Sequence, residues 1–128
     1  MATSWRWCIS WVAAILAVER IVPNLPAADA DAGQGFFTDV LGMEVAMRLP
    51  FITTYRSGDA QLSVLAGDPS GMAPDYAVGV DDIDAVHARA GDAGLAIVYP
   101  LTREPWGVRR FFVRDPLGRL ANIVQHED

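Results

Sequence analysis

The chain is poor in the side chains that build covalent and metal chemistry. It has one cysteine, Cys8, and two histidines, His87 and His126, in 128 residues. A lone cysteine cannot close an internal disulfide and gives no thiolate pair for zinc, so the redox compartment is unmarked. The histidines fall on a predicted helix and near the chain end, without the i, i+4 spacing of a helical zinc pair, and read as surface residues. Positive charge is also short: ten Lys plus Arg against sixteen Asp plus Glu leave a net charge of −6 and a pI near 4.7. Such a surface repels phosphate backbones, which argues against nucleic acid as a partner and tilts the choice of ligand towards a cationic small molecule. No Gly-x-Ser-x-Gly turn offers a nucleophile, although a Ser-His-Asp triad, whose members need only meet in space, stays open. Gly33-Gln34-Gly35 falls inside a predicted helix rather than between a strand and its helix, so it does not read as a phosphate loop.

What the chain has in quantity is apolar surface. Apolar residues make up 52% of it, and the mean hydropathy is +0.20. At this length one domain forms, burying roughly two-thirds of the surface of the unfolded chain. The apolar surplus is expected in a partner subunit or a ligand cleft. The run from Trp7 to Val18 is too short to span a bilayer. With one Arg before it and Ala17 near a cleavage point it resembles a weak signal peptide. The favoured reading is an N-terminal extension, residues 1–18, on a cytoplasmic protein. Trp5, Trp7 and Trp11 belong to it and carry no site argument.

From Glu19 to the end, residues 19–128, a single domain is expected to consist of two similar units, about 19–68 and 74–127. In the first, IVPNLPA reads as a strand whose prolines fit an edge or a strand start. Asp29 and Asp31 offer N-caps, with Gln34 as capping-box partner of Asp31. The pairs Phe36/Val40 and Phe37/Leu41 predict a helix ended by Gly42, weakened by Gly33 and Gly35. MEVAMRL, FITTYRS and AQLSVLAG are the strands that follow. The second unit repeats the order. DYAVGV is a strand, Asp81 or Asp82 caps a helix with Ile83, Val86 and Ala90 on one face, and Gly94 ends it. LAIVYPL, RRFFVRD and GRLANIVQH follow, with Asp115-Pro116-Leu117-Gly118 as a type I turn. Two βαβββ units in tandem give an α+β fold.

The layout, PNLPAAD leading into GFFTDVLGMEV, and PWGVRRFFVRDPLGRLANIVQ together resemble the vicinal-oxygen-chelate superfamily of glyoxalases, extradiol dioxygenases and bleomycin-resistance proteins. The PWG before the last hairpin and the proline-rich first strand place the resemblance closest to the bleomycin-resistance branch. It implies an open curved barrel in which two βαβββ halves enclose a cleft. In the metal-using members, four inward positions on the first and last strands of each unit supply His, Glu or Gln. Carried over by spacing from the helix-capping Asp and the DPxG turn, they fall on Val22, Ser63, Asp75 and Asn122. One carboxylate and two neutral oxygens do not make a stable transition-metal site, so no metal and no cofactor are expected.

The resemblance further implies that Trp106, in the PWG, lines a ligand groove, and that Phe51 matches a groove aromatic. For Phe51 ordinary core packing is the equal alternative, and for Trp106 a packed corner of the barrel. The expected function is metal-free sequestration of an antibiotic-like, cationic small molecule by a homodimer, with Trp106, Phe51, Asn122, Ser63 and Asp75 at the ligand and clefts at the subunit interface. The alternative is a lyase, isomerase or dioxygenase of the same fold, with Asp75 and His126 as reacting groups. A dimeric scaffold without a dedicated ligand is the third reading.

Overall fold

Short strands alternate outward and inward side chains, and Gly- or Pro-containing turns set their register. In the computed structural model, which describes residues 17–127, they form one eight-stranded mixed sheet. The first unit contributes β1 (Val18–Pro26), β2 (Glu44–Leu49), β3 (Ile52–Ser57) and β4 (Ala60–Leu65). The second contributes β5 (Tyr76–Val80), helix α1 (Ile83–Asp92), β6 (Ile97–Glu104), β7 (Val108–Arg114) and β8 (Leu120–His126). The spatial order is β2-β3-β4-β1-β5-β8-β7-β6. In each unit the first and last strands run parallel, the remaining neighbours are antiparallel hairpins, and β1 and β5 join the units antiparallel. The sheet curls into a half-barrel, the α+β fold expected from the tandem βαβββ pattern.

The second unit follows its sequence signals closely. Asp82 accepts the Ala85 N–H at 3.1 Å and starts α1, and Gly94, at φ +73°, ends it. Ile83 and Ala90 are buried against Val80, Phe111, Val113 and Ile123 on the outer face of the sheet. Fully burying Ile83 contributes about 1.5–3 kcal/mol. Gln125 on β8 accepts the Ile83 N–H at 2.9 Å and donates to the Asp81 carbonyl at 2.8 Å, which fixes the helix start to the sheet. At the last hairpin the Asp115 carbonyl accepts the Gly118 N–H at 3.0 Å. The Asp115 carboxylate accepts the N–H groups of Leu117 and Arg119, and the Tyr76 hydroxyl donates to it at 2.6 Å.

The first unit departs from expectation. Its helix shrinks to a π-helical turn, Phe36–Val40. Asp29 is not a helix cap; it accepts the Asp31 N–H at 2.9 Å in a local turn. Asp31 and Gln34 form no capping box, because both hold Arg48 on β2 instead. Gly33 takes the left-handed conformation at φ +75°, which interrupts any regular helix before the turn. Phe36, Val40 and Leu41 stay exposed, and of the expected apolar pairs only Phe37 reaches the core, stacked on Tyr55 with centroids 4.7 Å apart.

β1 begins at Val18, three residues before the expected IVPNLPA strand and inside the expected extension, with Val18 opposite Val80. Ala17 donates its N–H to Asp81 Oδ1 at 2.9 Å and accepts the Asp81 N–H at 3.2 Å. Residues 1–16, with the rest of the expected extension and its three tryptophans, lie outside the described residues. No helix among the described residues is long and apolar enough to cross a membrane.

Candidate functional site

Alternation sorts the two adjacent arginines of β7 onto opposite faces. Arg109 points outward and pairs with Asp84 on α1 at 2.7 and 3.0 Å. Arg110 points inward with Val108 and Phe112. The inward faces of the two units enclose a cavity of about 320 Å³, at the lower end of small-molecule sites. Val22, Ala77, Val108 and Val124 give it apolar walls. Polar groups stand at discrete points. The Thr54 and Ser63 hydroxyls bond each other at 2.7 Å, Asn24 donates Nδ2 to the Pro74 carbonyl at 3.1 Å, and the buried Asn122 Oδ1 has no partner among the described residues.

The register of the central strands corrects one expected site residue. Val22 lies opposite Ala77, and Ala77 opposite Asn122. Ala77, not Asp75, therefore occupies the inward position on the first strand of the second unit. Asp75 precedes β5 and lies outside this cavity, along a second groove. There it closes the strand ends: its carboxylate accepts the Leu120 N–H at 2.8 Å, its own N–H donates to the Leu120 carbonyl at 2.8 Å, and its carbonyl accepts the Asn24 N–H at 3.1 Å.

A buried ion cluster, not foreseen from the sequence, closes one side of the cavity. Arg110 clasps Asp68 with both terminal nitrogens, at 2.8 and 2.9 Å, and donates Nε to Glu104 at 2.6 Å. The Tyr99 hydroxyl donates to the same Glu104 oxygen at 2.8 Å. The Arg110 and Asp68 side chains are each 4% exposed. Burial pushes the Asp68 carboxyl up, but the hydrogen bonds from Arg110 and Ser70 outweigh it and hold the carboxyl below its usual value. Burial likewise opposes the Arg110 charge, and its bonds to Asp68 and Glu104 prevail. The rings of Tyr99, Trp106 and Phe112 lie 4.8–5.2 Å from the guanidinium carbon. The alternation in GVRRFFVRD signals an inward Arg110; the partner Asp68 is set only by the tertiary fold.

The profile of the Glyoxalase/Bleomycin resistance protein/Dioxygenase superfamily matches residues 17–123. The chain belongs to this superfamily. No curated protein sequence matches it. Solved structures share the fold of this superfamily member. Methylmalonyl-CoA epimerase from Mycobacterium tuberculosis aligns at 21% identity and a TM-score of 0.67, over 87% of this chain and 90% of that one. A glyoxalase/bleomycin resistance protein/dioxygenase superfamily member from Vibrio splendidus 12B01 aligns at 22% and 0.60, over 83% and 97%. A protein described as NAD-dependent benzaldehyde dehydrogenase from Legionella pneumophila aligns at 15% and 0.69, over 84% and 99%. Such varied descriptions on one fold leave the chemistry to the site.

The superfamily implies a divalent metal at the four inward positions, and the residues of this member do not fit one. Val22 and Ala77 present hydrocarbon, and Ser63 and Asn122 are neutral oxygen groups, whereas a tight transition-metal site needs about three or four good donors. Among the described residues no three His, Cys, Asp or Glu side chains come together.

Phe51 lies in the turn before β3 and lines the cavity. Trp106 does not line it. The indole stands behind, edge-on to Phe51 with centroids 5.4 Å apart and over Arg110 at 5.0 Å, so it supports the wall rather than forming it. His126 is exposed, as expected, and also borders the cavity. His87 packs edge-on against Phe111 at 4.9 Å, on the outer face. Asp75 and His126 do not meet. Asp75 bonds Leu120 at the start of β8 and His126 ends that strand, a separation of roughly 20 Å at the strand rise.

Proposed function

We propose that this superfamily member is a metal-independent small-molecule-binding protein that acts by sequestration, as the bleomycin-resistance branch does. One observation carries this reading. The central inward positions of the four strands on which metal-using relatives place ligands are filled by Val22, Asn24, Ser63, Ala77 and Asn122, around a cavity of ligand size. A pocket with apolar walls and a few fixed polar groups holds a ligand by burial and orients it by hydrogen bonds, without a group that polarises a bond. The Ser63–Thr54 hydroxyl pair has a hydroxyl hydrogen left to donate, and Asn122 Oδ1 is an acceptor that a ligand N–H or O–H satisfies. An unmade buried hydrogen bond costs about 1–3 kcal/mol, so supplying it favours binding.

The cationic preference inferred from net charge does not extend inside. Asp68 is the acid among the cavity residues, and Arg110 already neutralises it. The enzyme alternative loses its acid–base pair with the separation of Asp75 from His126. We further propose a cytoplasmic homodimer, on the ground that the outer face of β1 presents Ile21 and Leu25, 63% and 42% exposed, to a partner; light scattering at micromolar concentration tests it.

A thermal-shift screen of small amphipathic compounds, with and without chelator, tests the binding reading. Compounds that fill the cavity raise the melting temperature equally in both arms, by about 2.7 kcal/mol of stabilisation at a hundredfold excess over Kd. Turnover of a hit, or stabilisation only with a metal present, contradicts the proposal.

A further inference from the structure

One end of the cavity carries a cation that no carboxylate among the described residues neutralises. Arg20 on β1 faces inward, two residues before Val22, and lines the cavity together with His126, Arg56 and Gln61. Arg56 is taken by Glu44, at 2.8 and 3.0 Å. Arg20 has no carboxylate within ion-pair distance among the described residues. It is half-buried, and a half-buried guanidinium without a counter-ion is costly unless something supplies one.

Its position is built by a glycine. Gly79 on β5 lies opposite Arg20 and does not adopt a left-handed conformation, so backbone freedom does not require a glycine there. Space does. A Cβ on Gly79 would stand 2.7 Å from Arg20 Cζ and 2.9 Å from its Cγ and Nε. The arginine side chain thus lies flat across β5, in a cradle that any other residue would fill. Gly79 in turn pairs with Val124 on β8, and His126 is the next inward residue along that strand. The cradle therefore directs the guanidinium towards the imidazole. Burial, then the charge of Arg20, hold the His126 ring below its usual pKa, while Glu19 acts the other way. The ring is then a neutral hydrogen-bonding group that an incoming anion would favour protonating.

We propose that Arg20 and His126, with Gly79 as the cradle, form an anion subsite, so that the ligand is an apolar body carrying one carboxylate, sulfonate or phosphate group. The body lies along Val22, Ala77 and Val124, and the charged group ends on Arg20. This rests on the binding reading of the cavity given above and names the ligand class for it.

The test uses two fluorescent probes with the same rings, anilinonaphthalene sulfonate and the uncharged phenylnaphthylamine. Both are titrated into the parent chain and into the Arg20→Met, Gly79→Ala and cavity-filling Ala77→Phe variants. The sulfonate probe should bind the parent roughly tenfold or more tightly than the neutral one, the size of one hydrogen bond to a charged group. Arg20→Met should remove most of that preference and leave the neutral probe unchanged. Gly79→Ala, which keeps every charge and relieves a strand glycine, should also remove it by displacing the guanidinium. Ala77→Phe should weaken both probes. Equal affinity for the two probes in the parent, unaltered by Arg20→Met, overturns the anion subsite and leaves the cavity reading standing. If neither probe binds, or Ala77→Phe binds both as the parent does, the cavity reading fails and the subsite with it.

Discussion

Asp68 and Arg110 are 42 residues apart and share two parallel hydrogen bonds of 2.8 and 2.9 Å, which tie the segment after β4 in the first unit to β7 in the second. Phe51 and Trp106, from the β2–β3 and β6–β7 turns, meet beside them. The two halves of the curled sheet are thus held across the cavity by an ion pair and an aromatic pair.

Asp68→Ala should therefore destabilise the fold, since it leaves Arg110 buried with Glu104 as its one remaining carboxylate. Removing one partner of a buried pair costs about 3–5 kcal/mol; with Glu104 retained we expect the lower end, a fall of about 10 °C in melting temperature. Exchanging Asp68 and Arg110 together for apolar residues of similar volume should cost less than Asp68→Ala alone. A double-mutant cycle in urea measures the difference.

The two ends of the pH–stability curve should report two residues. The folded state holds Asp68 below its usual pKa, so the unfolded chain takes up the proton first. Its contribution is complete above the ordinary carboxylate range, near 4, and is lost as pH falls through the folded value. Asp68→Asn should flatten this acid limb. The bond to Asp115, then burial, push the Tyr76 hydroxyl up to about 12. That contribution is complete below the ordinary tyrosine value near 10 and is lost as pH rises through about 12. Tyr76→Phe should remove the alkaline step and lower stability below it.

Trp106 and Phe51 should separate stability from binding. Trp106→Ala removes an aromatic pair and a cation–π contact, together about 2 kcal/mol, and should lower the melting temperature by several degrees while a cavity ligand still binds. Phe51→Ala removes part of the wall itself and should weaken that ligand. Fluorescence titration of the two variants decides it: a larger loss of binding in Trp106→Ala would return the indole to the cavity.

A chain starting at Ala17 should fold cooperatively. Every strand among the described residues lies at or after Val18, and the backbone of Ala17 makes two bonds to Asp81, one to its carboxylate and one to its N–H. Starting instead at Glu19 loses those bonds and the Val18–Val80 pairing, and should melt lower in a scanning calorimeter.

The parts legible in the sequence were those fixed locally. Asp82, the face of Ile83, Val86 and Ala90, and Gly94 specify α1 within about a dozen residues, and each signal agrees with its neighbours. In the first unit the signals conflict. Gly33 and Gly35 weaken the helix that Asp31 and Gln34 would cap, and Arg48, fourteen residues beyond Gln34, takes both side chains away. Val22, Ser63 and Asn122 line the cavity because strand alternation decides their face, and Phe51 lines it from the turn before β3. The Asp68–Arg110 clasp and the Gly79 cradle under Arg20 depend on pairings between distant strands, which no local pattern encodes.

On the proposed function, this cavity binds its ligand without a metal. Isothermal titration of one hit from the thermal-shift screen into chelator-stripped protein, and into protein pre-incubated with zinc, nickel, iron(II) or manganese, tests it most directly. One Kd is expected throughout, with substoichiometric metal in the protein as purified. Loss of binding on stripping, restored by one of these metals at one equivalent, would contradict it.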